Sequence, residues 1–198
     1  MKFIVRLASA FTLGLLLAAS ARASVEIEGV QLDDSTAVGG TKLVLNGATV
    51  RKRAYFKTDV VGLYLPQRTT KPDAIYKGDI PMRLVLVMLR DVPSATITRY
   101  FVSDFKQVAS DTEFKQTINE VGNLGMIYGT IDRVRKGDIV TIDWTPEKGI
   151  KAAINGKLLN ERDDFKSHLF WEIYMRMYVS AAAPEELRTG LLGLRAAK

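Results

Sequence analysis

The segment Leu45–Pro66, LNGATVRKRAYFKTDVVGLYLP, decides how this chain folds. Its second half, Thr58–Leu65, carries Val60, Val61, Leu63 and Leu65 in a short apolar run rich in β-branched residues, which predicts a buried strand. That strand opens on charge, with Lys57 and Asp59, and three consecutive cations, Arg51, Lys52 and Arg53, stand upstream. Such charges either form a solvated edge or look into a pocket. Arg51, Arg53, Tyr55, Lys57 and Asp59 share strand parity, so a bend must intervene if Val61 and Leu63 are to join the core. Asn46-Gly47 reads as a type I′ turn closing a strand over Lys42–Leu45.

Outward from this segment, the chain changes period twice. Ser24–Leu32 begins with alternating Val25 and Ile27, and Met82–Leu89 (MRLVLVML) is a continuous apolar run that suits a central strand. Ser94–Ala109 places Ile97, Phe101, Phe105 and Val108 on one helical face. Ser110 and Glu113 have capping-box spacing. They start a second helix with Phe114, Ile118 and Val121 inward, ended by Gly122. Strand signals return at Asp138–Trp144 and Ile150–Ile154, and Asn155-Gly156 turns the chain onto Lys157–Leu159. A helix over Asp163–Tyr178 is apolar nearly all round, with Phe165, Leu169, Ile173 and Met177 on one face and Phe170, Trp171 and Tyr174 on the other. Pro184 fits the first turn of a last helix, Glu185–Leu192. Strands, a helix pair, hairpins, then helices argue an α+β fold, an antiparallel sheet with helices on one side.

The first 23 residues read as a secretory signal peptide: a basic start at Lys2 and Arg6, the apolar run Leu7–Ala19, and Ala21-Arg22-Ala23 as cleavage site. The run is shorter than the ~20 apolar residues that span a bilayer. This predicts a periplasmic protein of residues 24–198, one domain, with no membrane anchor after cleavage. Losing Lys2, Arg6 and Arg22 halves the formal charge of +6, too little for a nucleic-acid partner. With no Cys, neither disulfides nor a lipidated cysteine is available. One histidine, His168, cannot form a His-based metal site, and no phosphate-binding, dinucleotide, calcium-loop or nucleophile-elbow pattern appears. The expectation is no metal and no cofactor.

Several fragments together resemble the chalcone isomerase-like proteins. Asn46-Gly47-Ala48-Thr49-Val50-Arg51 followed by Phe56-Lys57 and Gly62-Leu63-Tyr64-Leu65 is similar to that family's first strand pair. MRLVLVMLRDVPSATI (82–97) is similar to its next strand and entry into the helices. INGK (154–157) and LRTGLLG (187–193) are similar to its late hairpin and closing helix. The resemblance implies an open-faced β-sandwich, a large antiparallel sheet under a layer of helices, with an apolar ligand held between them. Plant members isomerise chalcones, other members lack that activity, and some bind fatty acids.

On this resemblance Arg51 corresponds to the family's pocket arginine, whose planar fork suits an enolate-like, phenolate or carboxylate oxygen. The alternative is a solvated hairpin arginine, as expected for Lys52 and Arg53. Asp59 falls where the plant enzymes carry a catalytic Thr. It pairs either with Arg51, opposing an anionic ligand, or with Lys57 at the surface; its place at the strand's start favours water. Where the enzymes place a Tyr and then an Asn after the central strand, this chain reads Asp91-Val92-Pro93-Ser94-Ala95-Thr96. Thr96 and Tyr100 are therefore candidate cavity residues without the enzyme's roles. The expected function is noncatalytic binding of a small amphipathic, fatty-acid-like molecule by Arg51, Asp59, Thr96 and Tyr100, its tail among residues such as Phe101, Phe105, Leu169 and Ile173. The alternatives are an isomerase of the intramolecular-lyase type and an envelope interaction protein with a filled core.

Overall fold

The computed structural model describes residues 24–160 and 165–195. In chain order the elements are β1 (Ser24–Ile27), β2 (Val30–Asp33), β3 (Ser35–Val38), β4 (Thr41–Arg53), β5 (Phe56–Leu65), α1 (Pro72–Tyr76), β6 (Met82–Met88), β7 (Val92–Pro93), α2 (Ser94–Val108), α3 (Asp111–Gln116), α4 (Ile118–Gly129), β8 (Arg133–Val134), β9 (Ile139–Thr145), β10 (Gly149–Ile154), β11 (Lys157–Leu158), α5 (His168–Val179) and α6 (Glu185–Leu191). Seven strands form one antiparallel sheet in the order β11-β10-β9-β6-β5-β4-β3. The MRLVLVML run thus takes the middle position, as the apolar stretch 84–89 predicts, with Arg83 near its start paired to Asp143 of β9.

Both faces of this sheet are covered at β5. Val61, Leu63 and Leu65 belong to the large core under the helices. Val60 and Tyr64 belong to a smaller core with Ile27 and Leu32 of the β1–β2 hairpin. Burial on both faces is why the strand reads as a continuous apolar run rather than an alternation. α5 is the central helix of the other layer. Eight of its residues are buried, among them Phe170, Trp171, Tyr174 and Tyr178, and Trp171 stacks on Trp144 of β9 with ring centroids 5.4 Å apart.

Three expectations change. Asn46-Gly47 is not a turn. β4 runs straight through it, and the register shifts between Leu45 and Gly47, which makes Asn46 the extra residue of a bulge. The buried Asn46 amide donates to the Leu191 carbonyl at 2.7 Å and accepts from the Thr69 amide at 2.7 Å. It ties the end of α6 and the loop after β5 to the sheet. The β4–β5 hairpin turns instead at Ala54, whose φ of 52° is left-handed. The second helix is two helices. Thr117 leaves helical geometry and its hydroxyl donates back to the Glu113 carbonyl at 2.8 Å, a local bond that competes with the helix ladder. Ile118 consequently lies outward, 48% exposed, and α4 passes through Gly122. Finally, α5 starts at His168, capped by the Ser167 hydroxyl. Phe165 is buried ahead of it; Asp163 lies outside the described residues, as does the segment 1–23 read as a signal peptide. The capping box of Ser110 and Glu113 forms as the spacing predicts.

Candidate functional site

Arg51 and Asp59 are directly opposed on β4 and β5. Arg51 Nε donates to Asp59 Oδ1 at 3.0 Å, and Nη2 lies 2.9 Å from Oδ2. The second contact is off-line, so Oδ2 has no aligned donor among the described residues. The Asp59 side chain is 0% exposed and that of Arg51 17%. The expectation that Asp59 turns to water, or joins Lys57, therefore fails. A second register shift lies between Arg51 and Lys52, leaving Thr58 as the extra residue. That is the bend the parity argument required. It takes Lys57 out of step with Asp59, and Lys57 pairs with Glu28 at 2.7 Å on the hairpin side. Cross-strand pairing with a large cation, not position along the strand, determines where Asp59 points.

The helices complete the surroundings of this pair. Arg51 Nη1 donates to the Tyr178 hydroxyl at 3.3 Å, and the Tyr174 hydroxyl lies 3.3 Å from that of Tyr178. One turn apart on α5, the two tyrosines present their hydroxyls side by side. Burial depresses the Arg51 guanidinium, but Asp59, then Tyr178 and Tyr174, outweigh it and hold the charge more firmly than usual. Burial also pushes Tyr174 well above the ordinary phenol range, with Tyr178 and Tyr128 adding to it. Tyr128, on α4, is pushed up to about 12 by loss of hydration and by Tyr178, with Arg51 opposing.

Arg51, Tyr128, Tyr174 and Tyr178 form the polar end of a cavity of about 70 Å³. Its apolar wall comes from Leu86, Met88, Val140 and Ile142 of the sheet and from Phe101 and Met177 of the helices. A more polar groove of about 240 Å³ meets it at Arg51, Arg53, Asp104, Met177 and Tyr178. Arg53, expected in solvent, instead pairs with Asp104, with Nη1 2.9 Å from Oδ1, and its guanidinium lies over the Tyr100 ring at 4.9 Å. Lys52 does stay outside, on Glu186.

The structure brings Arg51, Asp59 and Tyr100 to one region but not Thr96. Thr96 lies outside the cavity lining, in an adjoining depression with Phe56 and Arg90 that meets the cavity at Arg53, Thr58, Val92 and Tyr100. Of the expected tail residues, only Phe101 borders the cavity; Phe105 and Ile173 are fully buried core. Sequence reasoning missed Thr58, Asp104, Tyr128, Tyr174 and Tyr178. The i, i+4 spacing of Tyr174 and Tyr178 on an otherwise apolar helix was the one available signal. His168 meets the edge of Trp144, with ring centroids 5.9 Å apart, away from the cavity lining. Among the described residues no group of His, Cys, Asp or Glu could hold a metal ion.

An antiparallel sheet layered with helices, with a small apolar cavity closed by a buried arginine and tyrosines, defines a ligand-cavity α+β protein. The family model described as chalcone isomerase-like matches residues 24–193, and the chain belongs to that family. Among solved structures it is similar to a fatty-acid binding protein of Arabidopsis thaliana, with a TM-score of 0.67 and 14% identity over 86% of this chain and 96% of that one. At that identity the likeness concerns the fold. Comparison with curated proteins finds no match.

Proposed function

We propose that this chain is an exported, noncatalytic binder of a small amphipathic molecule of the fatty-acid type, with a polar head and a hydrocarbon body. The observation that carries the reading is the apolar cavity between sheet and helices with Arg51, Tyr128, Tyr174 and Tyr178 gathered at one end. The fatty-acid binding neighbour supports it by fold. The head sits where cavity and groove meet at Arg51 and Tyr178, and the body lies against Leu86, Val140 and Phe101. Pockets for drug-sized ligands span ~300–1,000 Å³, so about 70 Å³ favours a short body or one that extends into the groove.

The site's proton chemistry supports the noncatalytic part. General acid–base work needs a group that exchanges its proton near the working pH. Tyr128 and Tyr174 are pushed away from neutrality by burial. Residues 1–23 support export by their pattern. Mass spectrometry of an organic extract from purified protein tests the binding: a recurrent amphipathic molecule is expected, and lost in Arg51→Ala. A wild-type extract without one refutes it.

A further inference from the structure

We infer that the cavity selects a ligand whose polar head is uncharged (an alcohol, ketone or ester) and turns away carboxylates, with Asp59 as the residue that sets this choice. The inference rests on the amphiphile-binding reading above and narrows its ligand to uncharged relatives of fatty acids, leaving ionised fatty acids themselves outside. It follows first from the charges at the head end. Arg51 has Asp59, and Arg53 has Asp104. In the adjoining groove Lys52 has Glu186. Each cation lining these two spaces already has its own carboxylate. A ligand carboxylate at Arg51 adds a surplus negative charge beside the Asp59 carboxylate, in a place short of water.

Asp59 cannot step aside to admit it. Its backbone is paired on both sides, to Arg51 of β4 and to Met88 of β6. The side chain is 0% exposed, and no second cation reaches it among the described residues. Moving Arg51 onto the ligand would leave Asp59 buried and alone, which costs more than an equivalent new pair returns.

A neutral head meets none of this opposition and finds partners in place. A guanidinium has five N–H groups. The bonds to Asp59 and Tyr178 leave a second N–H on Nη1 and on Nη2 for a carbonyl or hydroxyl oxygen. The Tyr128 hydroxyl lines the same end and has no hydrogen-bond partner among the described residues. An alcohol can donate and accept there without disturbing the ion pair.

The test is isothermal titration calorimetry of the purified protein with 1-octanol and with octanoate at neutral pH, in wild type and in Asp59→Asn. Wild type is expected to bind 1-octanol at least about tenfold tighter than octanoate. Asp59→Asn is expected to raise octanoate affinity to that of 1-octanol or beyond. Octanoate binding as tightly as 1-octanol in wild type, or an unchanged ratio in Asp59→Asn, overturns the inference while leaving the binding reading intact. Binding of neither probe removes that reading and this one with it. If Asp59→Asn does not fold, the wild-type ratio alone decides.

Discussion

Replacing Gly190 by Ala sets two physical effects against each other. Gly190 lies inside α6, where Ala is favoured over Gly by about 1 kcal/mol in helix propensity. But a Cβ at Gly190 would sit 2.4 Å from Thr49 Cβ and 2.9 Å from its Cγ2 and Oγ1. Carbon pairs settle at about 3.5–4.0 Å, so the helix or the strand must give by about 1 Å. Thr49 cannot swing away, because the nearest atom is the root of its side chain. The reverse contact is equally tight: a Cβ on Gly47 would lie 2.2 Å from the Gly190 carbonyl oxygen. Displacing α6 strains the Asn46–Leu191 hydrogen bond and the buried Leu187 and Leu191. Overpacking costs about 1–3 kcal/mol and a weakened hydrogen bond about 1 kcal/mol, so a net loss near 2 kcal/mol is expected. With a urea slope of about 2 kcal/mol/M, the unfolding midpoint should fall by about 1 M. In a Thr49→Gly background the penalty should largely vanish, which a double-mutant cycle measures. An unchanged or raised midpoint for Gly190→Ala would show that α6 does not seat on β4 in this way.

Arg51→Ala leaves the Asp59 carboxylate buried without its cation, and chemical denaturation should show a loss of about 3–5 kcal/mol; Arg51→Ala combined with Asp59→Leu should recover much of it. Glu113 is held at about 2 chiefly by the Arg176 guanidinium, against burial and helped by the Ser110 amide. Its folded value is below the usual one, so this support is complete above the ordinary carboxyl range and fades as pH falls from about 4.5 toward 2. At a quarter-exposed site that is worth about 1 kcal/mol after screening, and Glu113→Gln should remove that part of the acid dependence in urea titrations. Export predicts a mature N-terminus at Ser24, and N-terminal sequencing that finds Met1 on protein from the native host would reject it. The proton chemistry predicts chalcone cyclisation no faster than the spontaneous rate, checked by absorbance.

What the sequence made legible was whatever burial alone determines. β5 and β6 could be read because the stretches 60–65 and 84–88, covered on both faces, are apolar. α5 could be read because a helix between sheet and helices is apolar all round. Asn46-Gly47 misled because its amide is satisfied by Leu191, far along the chain, and local turn preference carries no knowledge of that partner. The true turn was silent, since Ala54 takes a left-handed φ that glycine or asparagine would have advertised. Arg51 was found through its match to a family pattern, whereas the burial of Asp59 followed from strand register and a bulge at Thr58. The tyrosines were hidden by an aromatic helix in which most rings are simply core.

The Trp144–Trp171 stack has an optical consequence. The chain has two tryptophans, and they are parallel to within 6°. One rides on the sheet and one on α5, and neither indole N–H has a hydrogen-bond partner among the described residues. At this separation their transitions should couple as an exciton, and an in-plane twist between the stacked rings gives a paired band of opposite signs in circular dichroism, with emission shifted to short wavelength by the dry surroundings. Because each ring belongs to a different layer, the couplet reports one event: separation of helix from sheet. Loss of secondary structure within either layer would leave a different mark, so the natural chromophores alone distinguish delamination from melting.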